Sequence, residues 1–142
     1  MQAVRSRLML FAAAMLAFAG GAVAHDATGA SRESVVVDFS RPIPNVPGKS
    51  LVAVEVTYPP GAASPAHVHA ASAFIYAHVV SGAIESRIDD GPVRVYRAGD
   101  SFHEDPGSRH SVSRNASQSE PAKLLAVFVV DTGDTDLTTP TE

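Results

Sequence analysis

Residues 51–58, LVAVEVTY, place Val52, Val54, Val56 and Tyr58 at every second position, so four large side chains share one face of an extended chain. The same grammar extends in both directions. Upstream, SVVVDF (34–39) runs into the proline-punctuated SRPIPNVPGKS (40–50). Downstream, FIYAHVV (74–80) and AIESRI (83–88) flank Ser81-Gly82, a pair that predicts a hairpin turn. VRVY (93–96), SFHED (101–105), HSVSR (110–114) and KLLAVFVV (123–130) follow, separated by the turn sequences DDGP, RAGD and Pro106-Gly107. About eight short strands and no convincing helix predict an all-β sandwich or barrel. The uniformly apolar Leu124–Val130 predicts a strand buried on both faces, inside the domain or at a subunit interface.

The 142 residues include ten glycines, ten prolines and no cysteine, the size and turn content of one domain without disulfides. The first 24 residues read as a cleavable Sec-type signal peptide. Arg5 and Arg7 precede an apolar run from Leu8 to Ala19, and Ala22-Val23-Ala24 forms an A-x-A cleavage site. That run is short of the ~20 residues that span a bilayer, so the expected product is periplasmic or secreted and is not held by a membrane. The domain limits expected are signal peptide 1–24, flexible arm 25–33, barrel 34–131 and polar tail 132–142. The formal charge of −4 becomes −6 when Arg5 and Arg7 are removed, and no basic run occurs, which excludes nucleic acid and anionic membrane as partners.

His67 and His69 are two apart, so on a strand both imidazoles project from one face with Cα atoms about 6.5 Å apart, within reach of one ion. GAASPAHVH (61–69) sets five residues between Gly61 and His67, and GDSFHEDPGSRHSVSRN (99–115) sets His110 after a Pro-Gly turn. These two segments resemble the motifs of the cupin superfamily, G-x5-H-x-H-x3,4-E-x6-G and G-x5-P-x-G-x2-H-x3-N. The resemblance runs from about Leu51 to Val130. It implies a single small antiparallel jelly-roll barrel, a divalent metal held by His67, His69 and His110, and a homodimer.

The departures from the motifs define the open question. The glutamate of the first motif should fall in the window Ala73–Ile75, which contains only Ala73, Phe74 and Ile75. In the second motif Asp105 takes the proline position and the asparagine shifts by one, to Asn115. The fourth metal position is then either open to water and substrate or filled by another side chain. In SFHED, strand alternation turns one of His103 and Glu104 inward, and Glu104 would restore the carboxylate from a different strand. His78, counted back from Gly82, falls on the opposite face. His25 would head the mature chain, where an N-terminal imidazole can chelate copper.

The expected cavity wall is apolar, with Phe74, Ile75 and Phe102 as substrate-contacting residues, which suits a small organic ligand whose oxygen atoms reach the metal. Arg87 and Arg109 are the cations that could meet a carboxylate, or simply solvated surface residues. Imidazole ligands do not choose among Fe, Mn, Zn, Ni and Cu. Iron or copper would support a dioxygenase-like oxidoreductase, and the others an isomerase or decarboxylase. The alternative is a non-catalytic cupin that binds a small ligand or a metal. No cysteine or G-x-S-x-G serine supplies a nucleophile, and Asn115-Ala116-Ser117 matches a glycosylation acceptor.

Overall fold

The structure, a computed structural model, describes residues 32–141. The signal peptide and most of the arm, His25 included, lie outside the described residues. Ten strands run in chain order: β1 (Ser34–Pro42), β2 (Lys49–Tyr58), β3 (His67–His69), β4 (Phe74–Ser81), β5 (Ala83–Ile88), β6 (Arg94–Arg97), β7 (Ser101–Glu104), β8 (Arg109–Asn115), β9 (Ala122–Asp131) and β10 (Thr138–Pro140). No helix occurs among the described residues. Two antiparallel five-stranded sheets face each other, one ordered β1-β2-β9-β4-β7 and the other β10-β3-β8-β5-β6. This is the jelly-roll layout.

Alternation decides what fills the space between the sheets. Val52, Val54 and Tyr58 of β2 point inward and are buried, as are Ile75, Ala77 and Val79 of β4. Burying a side chain such as Ile75, Val79 or Ile84, each fully enclosed, contributes about 1.5–3 kcal/mol. The core divides into two groups, one around Val54, Ile75 and Phe128 and the other around Tyr58, Val79 and Leu124. β9 sits between β2 and β4. Its Leu124, Ala126, Phe128 and Val130 face inward, while Leu125, Val127 and Val129 lie on the outer face between Glu55, Ala53 and Leu51 of β2 and His78, Tyr76 and Phe74 of β4.

Two sequence expectations change. Ser81-Gly82 is not a hairpin turn, because β4 pairs with β7 and β9 whereas β5 pairs with β6 and β8 in the other sheet. The chain instead turns a corner between sheets. Gly82 adopts φ +72°, and a Cβ there would lie 2.6 Å from the Pro121 carbonyl, so the corner excludes any side chain. The segment after Asp131, expected as a polar tail, returns to the barrel. β10 pairs with β3 in the register Thr138↔His69 and Pro140↔His67, and Leu137 packs on the core. One apolar residue and three ladder positions suffice to dock it.

Asn115 locks the loop after β8. Its side-chain amide donates to the carbonyls of Tyr58, Pro59 and Glu120 at 3.2, 3.1 and 2.8 Å, and its Oδ1 accepts from the Ser117 N–H at 2.9 Å. With the residue only 3% exposed, the Asn-Ala-Ser triplet is a structural device and not an accessible glycosylation acceptor.

Candidate metal centre and cavity

β3 and β8 are neighbours with His67 directly opposite His110, and His69 lies two residues further along the same face. The three rings converge, with centroids 4.7 Å apart for His67–His69, 5.2 Å for His67–His110 and 5.9 Å for His69–His110. One nitrogen from each falls within 4.8 Å of the others. Glu104 arrives from the opposite sheet. It is 3% exposed, its Oε2 is 2.9 Å from His69 Nε2, and its Oε1 is 3.4 Å from His110 Nδ1. Glu104 is the cross-strand partner of Ile75, which stands in the window where the first motif lacks its glutamate.

The outward nitrogen of each imidazole is also held. His67 Nδ1 donates to the Pro65 carbonyl at 2.8 Å, His69 Nδ1 donates to the Leu137 carbonyl at 3.3 Å, and His110 Nε2 bonds Ser86 Oγ at 2.9 Å. A carbonyl only accepts, so His67 and His69 carry their proton on Nδ1 and present Nε2 lone pairs to the centre. At His69 this has a consequence. Its Nε2 and Glu104 Oε2 are both buried, 2.9 Å apart, and neither makes an aligned hydrogen bond. Two acceptors at that distance need a positive charge between them, which a bound cation or a second proton on the imidazole supplies. The donor set, three nitrogens fixed from behind and one carboxylate, fits a divalent metal.

Electrostatics favour the neutral imidazole at His67 and His110. Burial lowers the pKa of His67, and it pushes His110 down to about 4 against the opposing pull of Glu104. Phe128 packs edge-on to His69 at 5.7 Å, and Phe102 does the same to His110 at 6.2 Å. These rings pack apolar surface against the back of the site.

The centre forms the floor of a cavity of about 360 Å³ between the sheets. Val54, Val56, Ile75, Leu124 and Phe128 supply apolar wall. Tyr58 also lines it, its hydroxyl bonded to Ser64 and Ser113 Oγ at 2.8 Å each, and burial raises its pKa although both serines oppose the shift. Of the expected substrate contacts, Ile75 is in the wall but Phe74 is not. With Ile75 turned inward, Phe74 must face outward, where it is 43% exposed and stacks on His103. Phe102 lines a separate cleft with Tyr96, behind His110 and outside the cavity.

His78 projects outward and bonds Ser101 Oγ, and Arg87 and Arg109 are exposed outside the cavity. Sequence reasoning missed three contributors: Tyr58 as a cavity hydroxyl, Leu137 as the support of His69, and Glu33, which lines the cavity from the residue before β1. Alternation back from Val37 through Val35 was the available signal for Glu33.

Comparison with known proteins follows the same outline. The Cupin_2 family profile, described as a cupin domain, matches residues 54–128, more than half of the chain. A double-stranded β-helix protein from Klebsiella pneumoniae subsp. pneumoniae MGH 78578 is similar in structure, with TM-score 0.61, 22% identity and coverage of 78% of this chain and 85% of that one. The Cnp3 cupin domain of Schizosaccharomyces pombe gives TM-score 0.54 at 19% identity, covering 70% and 62%. The DMSP lyase DddQ of Ruegeria pomeroyi DSS-3 gives TM-score 0.52 at 25% identity, covering 64% of this chain and 43% of that one. None of the curated protein sequences compared with the chain matches it.

Proposed function

Because the chain belongs to the Cupin_2 family of cupin domains, we propose that it is an exported, metal-dependent cupin that acts on a small organic molecule in its barrel. The observation that carries this reading is the unshared pair of buried acceptors, His69 Nε2 and Glu104 Oε2, beside two further imidazoles anchored from behind. His67, His69, His110 and Glu104 would hold the metal. When bound, a divalent ion there supplies Lewis acidity, or with iron or copper dioxygen chemistry, to an oxygen-bearing ligand.

The chain's own residues do the rest. Val54, Val56 and Leu124 exclude water around the ligand, Phe128 backs His69, and Tyr58 presents a hydroxyl ordered by Ser64 and Ser113. Dioxygenase-type, isomerase-type and decarboxylase-type reactions all begin from this arrangement, and a lyase of similar fold, DddQ, extends the range. Elemental analysis of untagged protein tests the reading. One equivalent of metal is expected in the parent and none in the His67→Ala/His110→Ala variant, and a metal-free parent that also fails to take up Fe, Mn, Zn, Ni or Cu would overturn it.

The assembly proposed is a homodimer through the outer face of the β1-β2-β9-β4-β7 sheet. Leu51, Val127, Val129, Phe74 and Phe39 share that face, and its two close charge pairs, Lys123–Glu55 at 2.7 Å and Lys49–Asp131 at 2.6 Å, are already neutralised internally. Light scattering should give twice the chain mass for the parent and a monomer for Val127→Asp. Export predicts a mature chain that begins at His25, which N-terminal sequencing of secreted protein reads directly.

A further inference from the structure

Glu33, Val35 and Val37 stand at alternate positions entering and along β1, and all three face the cavity, with Val35 opposite Val56 and Val37 opposite Val54. Val35, Val37, Pro65, Thr138 and Pro140 are the cavity residues most open to solvent, so the mouth lies on the side bounded by β1 and β10. Glu33 therefore sits at the entrance, half-buried, with His67, His69, His110 and Glu104 at the floor. Its charge reaches both Tyr58 and His67, favouring their protonated forms.

The charge inventory is one-sided. Among the described residues lining the cavity there are two carboxylates, Glu33 and Glu104, and no lysine or arginine. Glu33 makes no ion pair with any described residue. A divalent ion at the floor would be half balanced by Glu104, leaving one positive charge among the histidines and the negative charge of Glu33 at the entrance. A ligand carboxylate passing Glu33 would be repelled at the apolar mouth, and a ligand cation would be attracted.

We propose that the cavity selects small organic cations, seating an ammonium-type group against Glu33 while the apolar body lies along Val35, Val37, Val54 and Val56 and an oxygen-bearing end points to the histidines. The inference rests on the small-molecule reading above and adds the substrate's charge class. Glu33 is its specificity-determining residue.

Three phenols of matched shape test it: tyramine, p-propylphenol and p-hydroxyphenylpropionate, which carry a cationic, neutral or anionic tail. Calorimetric titration into the metal-loaded protein should rank tyramine first by about threefold to tenfold over the neutral phenol, with the anion weakest. In Glu33→Gln the three should fall within about twofold of each other while metal content stays at the parent value, and in the parent added salt should narrow the spread. Equal affinities in the parent, a preference for the anion, or a ranking unchanged in Glu33→Gln would overturn the inference and leave the small-molecule reading standing. Failure of all three phenols to bind would overturn both.

Discussion

Ile75 and Glu104 are directly opposed across β4 and β7, one filling the place of an expected carboxylate and the other supplying a carboxylate from the next strand. Both side chains face the barrel interior, with Ile75 0% and Glu104 3% exposed. A shift of one strand moves a side chain by about 5 Å, which a change in approach direction can absorb. Glu104→Ile should therefore lose metal, and Glu104→Gln should lower metal affinity about 10- to 100-fold. The swapped double variant Ile75→Glu/Glu104→Ile should recover binding relative to Glu104→Ile alone. Competition titration against a chromogenic chelator measures all three.

Stability of the metal-stripped protein should fall with acidity in a defined window. The folded-state pKa of His110 is depressed from 6.5 to about 4 and that of His67 is also lowered, both by burial first. The unfolded chain therefore binds more protons than the folded one between pH 6.5 and about 4. Stability is flat above the unfolded value and drains as pH falls through that range, with a loss on the order of 3 kcal/mol from His110 alone. Urea midpoints taken across the range should drop steadily, and His110→Gln should flatten the curve.

Asn115→Ala should cost roughly 2–4 kcal/mol, since it strands the buried carbonyl of Tyr58 and releases those of Pro59 and Glu120 together. Thermal unfolding reads the loss. Asn115→Asp should be little better, because a carboxylate cannot donate to three carbonyls.

Gly82→Ala should be destabilising by at least about 2 kcal/mol, through the +72° φ and the contact with the Pro121 carbonyl acting together. Gly99→Ala provides the contrast. It shares a positive φ of +93° but meets nothing within 4 Å, so its cost should be limited to backbone strain of about 1 kcal/mol.

Strand positions were legible because alternation is local: Val52, Val54 and Tyr58 announce their face without reference to any other segment. The family motifs placed His67, His69 and His110 for the same reason, each lying a fixed count from a glycine. What the sequence left open depends on distant pairing. Whether Ser81-Gly82 closes a hairpin or turns a corner is decided by β9 inserting beside β4, some forty residues later in the chain. The choice between His103 and Glu104 is a parity question that only the register of β7 on β4 answers. Leu137 contributes a backbone carbonyl, which no residue type encodes.

That carbonyl gives the C-terminus a role in handling the protein as well as in its architecture. Since Leu137 fixes the His69 tautomer and β10 pairs with β3, β10 is an extension of the candidate metal centre. Affinity tags, fusions or trimming beside β10 would perturb metal loading, whereas the same additions ahead of Arg32 would adjoin Glu33 and leave the β10–β3 pairing in place. A recombinant version tagged at its C-terminus would thus be a poor reporter of native metal content.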